Sequence, residues 1–293
     1  MLDLKNVQCR SLELSRMYIT WETDSTEDPL DFDFHVEKAQ SPGGAWTQAT
    51  PVPLVDQYLF VDSQPGLLHT WNNLYYRIRV EKRGTDQVAY YPRVPVRLQA
   101  RPPLDALEMA RQELVMLREL TGRLCWLFKR RTFGARCPEC WDRFSMKKTK
   151  SNCRTCWNTG WMGGYHSPIE FYCQIDPTGQ AAQLMGGPGE THQENTSART
   201  IFFPPIDPRD LIVEAENKRW RVHTRSYTER VRSPVKQEIQ LHRIPEGDME
   251  FSIPLNIDIL TTNPTAVRQF QNPTVPGTVG AELAGTFSRY GVD

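Results

Sequence analysis

Four cysteines stand in two pairs, Cys137-Pro-Glu-Cys140 and Cys153-Arg-Thr-Cys156, with twelve residues between the pairs. Thiolates at i and i+3 in two successive turns can close a tetrahedron around one metal ion, and the polar link from Trp141 to Asn152 suits a hairpin between them. Each pair is followed by an aromatic residue, Trp141 or Trp157, and turn material comes after in Thr159-Gly160 and Gly163-Gly164. The spacing predicts a zinc ribbon spanning 134–172, with one structural Zn2+ per chain held by Cys137, Cys140, Cys153 and Cys156. Four thiolates leave no open coordination position, so this metal would hold a fold together and do no chemistry.

A second cluster is cationic. Lys147, Lys148 and Lys150 lie with Arg143 and Arg154 beside Trp141, Phe144 and Trp157. Cations interleaved with aromatic faces are the chemistry of sequence-independent contact with nucleic-acid phosphates, and these five basic residues are the candidate DNA or partner contacts. A solvated hairpin tip would use the same lysines. Catalytic motifs are wanting: the chain has no Gly-x-x-x-x-Gly-Lys-Ser/Thr, no Gly-x-Gly-x-x-Gly, no Gly-x-Ser-x-Gly and no His-Glu-x-x-His. His35-Val-Glu37 with a Cys-x-x-Cys echoes the zinc deaminases, but the proline lies inside the pair as Pro138 and the second cysteine pair already fills the metal. His223 and His242 alternate with apolar residues and read as strand residues. The expectation is a protein that is not an enzyme and has no small-molecule substrate.

The elements that must position these residues follow from length and periodicity. A chain of 293 residues has room for two or three modules. Lysines and arginines number 35 and acids 35, so net charge predicts no affinity for nucleic acid or membrane. Local clustering is another matter: eleven basic residues lie between Arg118 and Arg154 against Glu119, Glu139 and Asp142. The first residues lack a basic and then apolar leader, which predicts a soluble protein made in the cytosol, without a membrane partner. Cys9, Cys125 and Cys173 read as core or half-exposed thiols of a reducing compartment.

Mainly β, multidomain architecture is expected. Residues 1–100 alternate apolar and polar positions in runs such as Met17–Trp21, Phe32–Val36 and Tyr75–Val80, separated by turn clusters. With a Trp ending an early strand and a Tyr-rich late one, this stretch resembles a fibronectin type III sandwich. Leu107, Ala110, Leu114, Leu117, Leu124 and Phe128 recur at helical steps, which predicts one long amphipathic helix over 101–133. The Gly- and Gln-rich segment 173–200 reads as a flexible arm, 201–255 as a small barrel-like β module, and 256–293 as an extended tail.

The C-terminal part carries a second resemblance. Pro205-Ile-Asp-Pro-Arg-Asp210 leads into the hydrophobic run Leu211–Ala215, a tight turn, Arg219-Trp-Arg-Val222 and the partner run Gln237–Leu241. This order is similar to head-closure and connector proteins of tailed bacteriophages, virion proteins of the neck. The resemblance implies a structural subunit at the head–tail junction, a homo-oligomeric ring contacting other neck, portal or tail proteins, assembled in the host cytoplasm and resident in the virion. The alternative is a zinc-ribbon adaptor that binds nucleic acid.

Overall fold

The computed structural model describes residues 2–11, 16–23, 27, 31–62, 74–98, 103–142, 144–176, 180–184, 191–231 and 233–255. Residues 1–253 form one compact unit and 254–293 a second, and the expected tail, 256–293, lies outside the described residues.

Period-two alternation builds the first module. Strands β1 (Leu4–Ser11), β2 (Met17–Thr23), β3 (Phe32–Ala39), β4 (Thr47–Gln48), β5 (Leu54–Val55), β6 (Leu59–Asp62), β7 (Tyr75–Lys82) and β8 (Val88–Arg97) form two sheets. One has the order β1-β2-β6; the other runs β4-β3-β7-β8, with β5 beside β3. Met17, Ile19 and Trp21 from the first sheet meet Phe34, Val36, Tyr76, Ile78 and Val80 from the second in one buried cluster. Each such side chain contributes about 1.5–3 kcal/mol on leaving water. Asp62, buried at the sheet edge, is satisfied by Tyr76 Oη at 3.0 Å and Lys38 Nζ at 2.9 Å.

Helix α1 (Leu104–Met116) comes next and, at 13 residues, is well under half the expected length. Its stripe is as read from the sequence in its first turns: Ala106, Leu107 and Ala110 are buried. Leu107 joins the sandwich core, whereas Ala106, Ala110 and Leu117 pack with Tyr18 of β2 and with Ile201, Phe202 and Val235 of the second module. After a wide turn over Leu117–Thr121 the chain extends at Gly122, whose amide donates to the Leu117 carbonyl at 2.8 Å. The expected helix over 101–133 is therefore corrected. Leu124 and Phe128 belong to β9 (Arg123–Phe128), a continuous apolar run buried at its last four positions. Such a run fits a fully buried strand as well as a helix face, and periodicity alone does not separate them.

The remaining strands are β10 (Trp141–Asp142), β11 (Lys147–Lys148), β12 (Ile169–Ile175), β13 (Gln180–Leu184), β14 (Thr191–Ile201), β15 (Leu211–Glu214), β16 (Arg219–Arg230) and β17 (Ser233–Arg243). Six of them close a barrel in the order β12-β9-β15-β16-β17-β14, sealed where Gln174 and Ile175 pair with Arg199 and Ala198. Inward residues Cys125, Leu127, Phe171, Cys173, Ile212, Trp220, Val222, Ile239 and Leu241 fill it. Two expectations change here. The segment 173–200, read as an arm, supplies the end of β12, β13 and β14; its polar β14 pairs with β17 from Asn195↔His242 to Ile201↔Lys236. Its threonines are satisfied by backbone, Thr196 on Asp176 O and Thr200 on Tyr172 O, each at 2.7 Å. Nor does the module 201–255 stand alone, since β9, β12 and β14 come from earlier sequence.

Gly122 is needed for the chain to leave the helix: a Cβ there would stand 2.2 Å from the Leu117 carbonyl oxygen. Gly122→Ala is expected to destabilise the protein by roughly 1–3 kcal/mol, as overpacking does. Chemical denaturation with an unchanged m-value checks this; a midpoint equal to wild type would refute the contact.

Candidate functional site

The ribbon is an excursion from the barrel wall. Strands β9 and β12 are antiparallel neighbours, paired from Leu127↔Ile169 to Arg123↔Cys173, and residues 129–168 connect them. The pairing runs on past the barrel through the bridges Arg130↔Tyr165 and Arg136↔Trp161. Backbone bonds from Arg131 N to Gly164 O (3.0 Å), Met162 N to Ala135 O (2.9 Å) and Cys137 N to Gly160 O (3.1 Å) carry the ladder to the first cysteine. The expected ribbon boundaries 134–172 thus shift, because Ile169–Ile175 is barrel wall and the excursion starts at Lys129.

At the far end the structure brings Cys137, Cys140, Cys153 and Cys156 together. All four are buried, and their Sγ atoms lie within 4.8 Å of one another. Cys137 and Cys153 are 3.7 Å apart and Cys140 and Cys156 3.4 Å apart. Disulfides require about 2.05 Å, whereas thiolates about 2.3 Å from a central ion stand about 3.8 Å from each other. The four cysteines can therefore hold a metal ion. Backbone geometry presents them: Trp141 N donates to Cys137 O at 3.1 Å, and Thr159 N and Oγ1 donate to Cys156 O at 2.9 and 2.8 Å. Gly164, at φ 64°, lies so close to Cys156 O that a Cβ would approach it to 2.8 Å, so only glycine fits under the second pair.

Around the cluster the excursion has little apolar core. Arg136 takes that place, its guanidinium lying 3.9 Å from the Trp141 ring and 3.6 Å from the Trp161 ring. Burial depresses its pKa. This stack holds the two strands of the excursion together just below the cysteines.

The hairpin β10–β11 forms the tip. Asp142 folds it by accepting bonds from Phe144 N (3.0 Å), Ser145 N (3.3 Å) and Ser145 Oγ (2.7 Å), which hold its carboxyl below the usual range. The turn leaves Phe144 100% exposed and Met146 66% exposed. Of the expected cationic residues, Lys147, Lys148, Lys150 and Arg154 are exposed. Lys148 is tied by Nζ to Asn158 O and Oδ1, both at 3.1 Å. Arg143 lies outside the described residues.

Three consecutive basic residues fix the base. Lys129 Nζ meets Asp207 and, at 3.0 Å, Asp210, while the Arg130 amide donates to Asp210 Oδ1 at 2.9 Å. Burial pushes the Asp210 pKa up to about 6, while Lys129 and the Arg130 and Asp207 amides act to lower it. Arg130 Nη2 reaches Thr159 O at 3.3 Å. Arg131, 2% exposed, pairs with Asp56 of the sandwich, and His166 Nδ1 stands 3.3 Å from the same carboxylate oxygen. Desolvation holds the His166 pKa down, and its ring packs 5.0 Å from Tyr58. Asp56, Lys129, Arg131, His166 and Asp210 went unread in the sequence; the Lys-Arg-Arg triplet following an apolar run was the available signal.

The other sequence candidates fall apart from this site. His35 and Glu37 lie on β3, with Gln48 3.1 Å from His35 Nδ1 and Arg77 on Glu37 at 2.7 Å. Cys125 and Cys173 are barrel core, and burial pushes both thiols up. No protein-family model matches this chain, and no curated protein matches it.

Asp56→Asn would leave Arg131 buried and unpaired, and is expected to cost about 3–5 kcal/mol. A thermal melt tests it, and a variant as stable as wild type would show that the pair does not hold the modules together. For the metal, Cys137→Ser should release the ion and unfold the excursion while the barrel amides stay protected from hydrogen exchange. An excursion equally protected with and without metal would refute a stapling role.

Proposed function

We propose that this protein is a structural subunit of a tailed-phage virion at the head–tail junction, which assembles into a ring and acts through its surfaces and not by catalysis. The observation that carries the reading is the excursion with its four-cysteine cluster, a projection continuous with two barrel strands that ends in the fully exposed Phe144. Exposing that ring to water is unfavourable by about 1.5–3 kcal/mol relative to burying it, which favours an apolar contact in an assembly. The turn at Asp142 holds the tip in shape before any encounter, which lowers the ordering cost of docking.

Further features support it. Leu104, Met109, Val115, Met116 and Leu120, on α1 and the wide turn after it, expose 42–79% of their surface among charged neighbours and could add apolar contacts to a neighbouring copy. The C-terminal hairpin that carries the neck resemblance becomes the β15–β16 wall of the barrel, paired from Leu211↔Arg221 to Val213↔Arg219. The sheet orders β1-β2-β6 and β4-β3-β7-β8 are those a fibronectin type III-like sandwich would have, so that finer reading of the first module is kept. The metal is proposed to be one structural Zn2+ per chain, since four thiolates in tetrahedral reach suit zinc and leave no open position. Partners would be further copies and other neck, portal or tail proteins, with assembly in the host cytoplasm and residence in the virion. No helix among the described residues is long and apolar enough to cross a membrane.

A second reading, a zinc-ribbon adaptor for nucleic acid, is favoured by Lys147, Lys150 and Arg154, which are exposed at the tip and make no ion pair among the described residues. Native mass spectrometry with elemental analysis separates the two. The neck reading expects one zinc per chain and a ladder of species leading to a closed ring, with Phe144→Ser shifting the ladder toward monomer at equal stability. A strict monomer whose DNA retention falls when Lys147 and Lys150 are reversed in charge would overturn it in favour of the adaptor.

A further inference from the structure

One concave surface of the barrel has no part in the assembly reading. It is a groove of about 1240 Å3 where the β15–β16 turn meets the end of β17, and Arg209, Arg221, His223, His242 and Arg243 are among its lining. Three local features converge on it. First, His223 is an extra residue in β16: pairing with β17 passes from Val222↔Leu241 to Thr224↔Gln240, which leaves His223 opposite no partner. Second, that bulge sets its ring 4.6 Å from the ring of His242 on the neighbouring strand, edge-on at 65°. Third, Arg209 has φ 74°, a conformation that turn chemistry ordinarily gives to Gly or Asn. Its backbone is fixed beside the bulge, because Arg209 N donates to Val222 O at 2.8 Å and Val222 N to Asp210 O at 2.9 Å.

Charge decides what such a site would take. The lining holds five Arg or Lys side chains and three carboxylates. Several of these cations are internally engaged: Arg221 with Asp248 and Glu250, Lys218 with Glu216, and Arg219 with the carbonyls of Glu250 and Ile253. Arg209, His223 and His242 meet no carboxylate among the described residues, and the third lining acid, Glu246, is exposed. Burial above all, and then His223 and Arg221, hold the His242 pKa down. Arg209 and the two imidazoles thus present donors that no acid of the groove takes up, which favours an anion as the ligand.

We propose that Arg209, His223 and His242 form a binding site for a phosphate-class anion, either free phosphate or a backbone phosphate of a nucleic acid. The two histidines, ring against ring, and the arginine that lines the same groove would then offer their donors to one anion.

The test uses the full metal-loaded chain titrated with inorganic phosphate, read by the ring resonances of its histidines. Saturable shifts of the His223 and His242 signals, with the other histidines unmoved, are expected. Arg209→Gln, and separately His223→Gln with His242→Gln, should weaken phosphate by about tenfold at an unchanged thermal midpoint. A labelled double-stranded oligonucleotide distinguishes the sources: salt-dependent binding that weakens in the same variants assigns a backbone phosphate, and phosphate binding without it assigns the free ion. Absent ring shifts, an affinity unchanged in both variants, or saturation of the pair by Zn2+ in place of phosphate would each overturn the proposal.

Discussion

The fold depends on what three adjacent side chains do where β9 leaves the barrel. Lys129 turns to Asp207 and Asp210 in the loop before β15, Arg130 to a carbonyl of the excursion, and Arg131 to Asp56 of the sandwich. Each of these neighbours belongs to a different part of the chain, so one tripeptide ties barrel, excursion and sandwich at a point. The arrangement demands its counter-charges. Arg131 and Asp56 are both nearly inaccessible to water, and a buried charge is tolerable only when paired and bonded. Asp56 itself is at φ 53°, a left-handed conformation that places its carboxylate against the ribbon base. Helix α1 also bridges the modules, with its Leu107 in one core, its Ala106 and Ala110 in another, and its Asp105 paired with Arg230 of β16.

From that junction outward, the means of cohesion change with distance from the barrel. The barrel is held by interlocking apolar residues and a closed ladder; the first part of the excursion by the continuing ladder; the next by the Trp141–Arg136–Trp161 stack; and the end by four thiols that can share an ion. Few residues there are large and apolar enough to fill a core, which is the condition under which a metal substitutes for one. Left-handed residues Trp157 and Asn158 together with Gly160, Gly163 and Gly164 mark how tightly the backbone must curl to aim four sulfurs at one point.

Legibility in the sequence followed the range of the interactions. The cysteine cluster was legible because its ligands are local pairs whose spacing fixes their geometry. The sandwich strands were legible because Met17, Ile19 and Trp21, or Tyr76, Ile78 and Val80, alternate within single runs. Leu-Cys-Trp-Leu-Phe was not, since a strand buried on both faces has no period to read. The segment after Cys173 misled for the opposite reason: β14 holds its place by backbone pairing with β17 and by threonine hydroxyls on carbonyls, so it needs few apolar residues. Asp56 and Arg131 lie so far apart in sequence that nothing local couples them. His223 and His242 looked like ordinary strand residues, and only the β-bulge brings their rings together.

The basic stretch from Arg118 to Arg154 shows how a charge cluster in sequence can mislead about surface charge. Arg123 is engaged with the buried Glu214, Lys129 and Arg131 with buried carboxylates, Arg136 with two indoles, and Lys148 with Asn158. Of these, Lys129 and Arg131 serve the junction, where low dielectric makes a fixed partner worth more than water contact would be. What is left for an outside partner is at the far end, where Lys147, Lys150 and Arg154 are exposed, as is the phenylalanine on the turn pinned by Asp142. A long-range electrostatic grip on a polyanion would want its cations spread along a face. A few cations on the same projection as one exposed apolar side chain suit a short-range contact, in which the phenylalanine supplies the burial and the lysines fix the orientation.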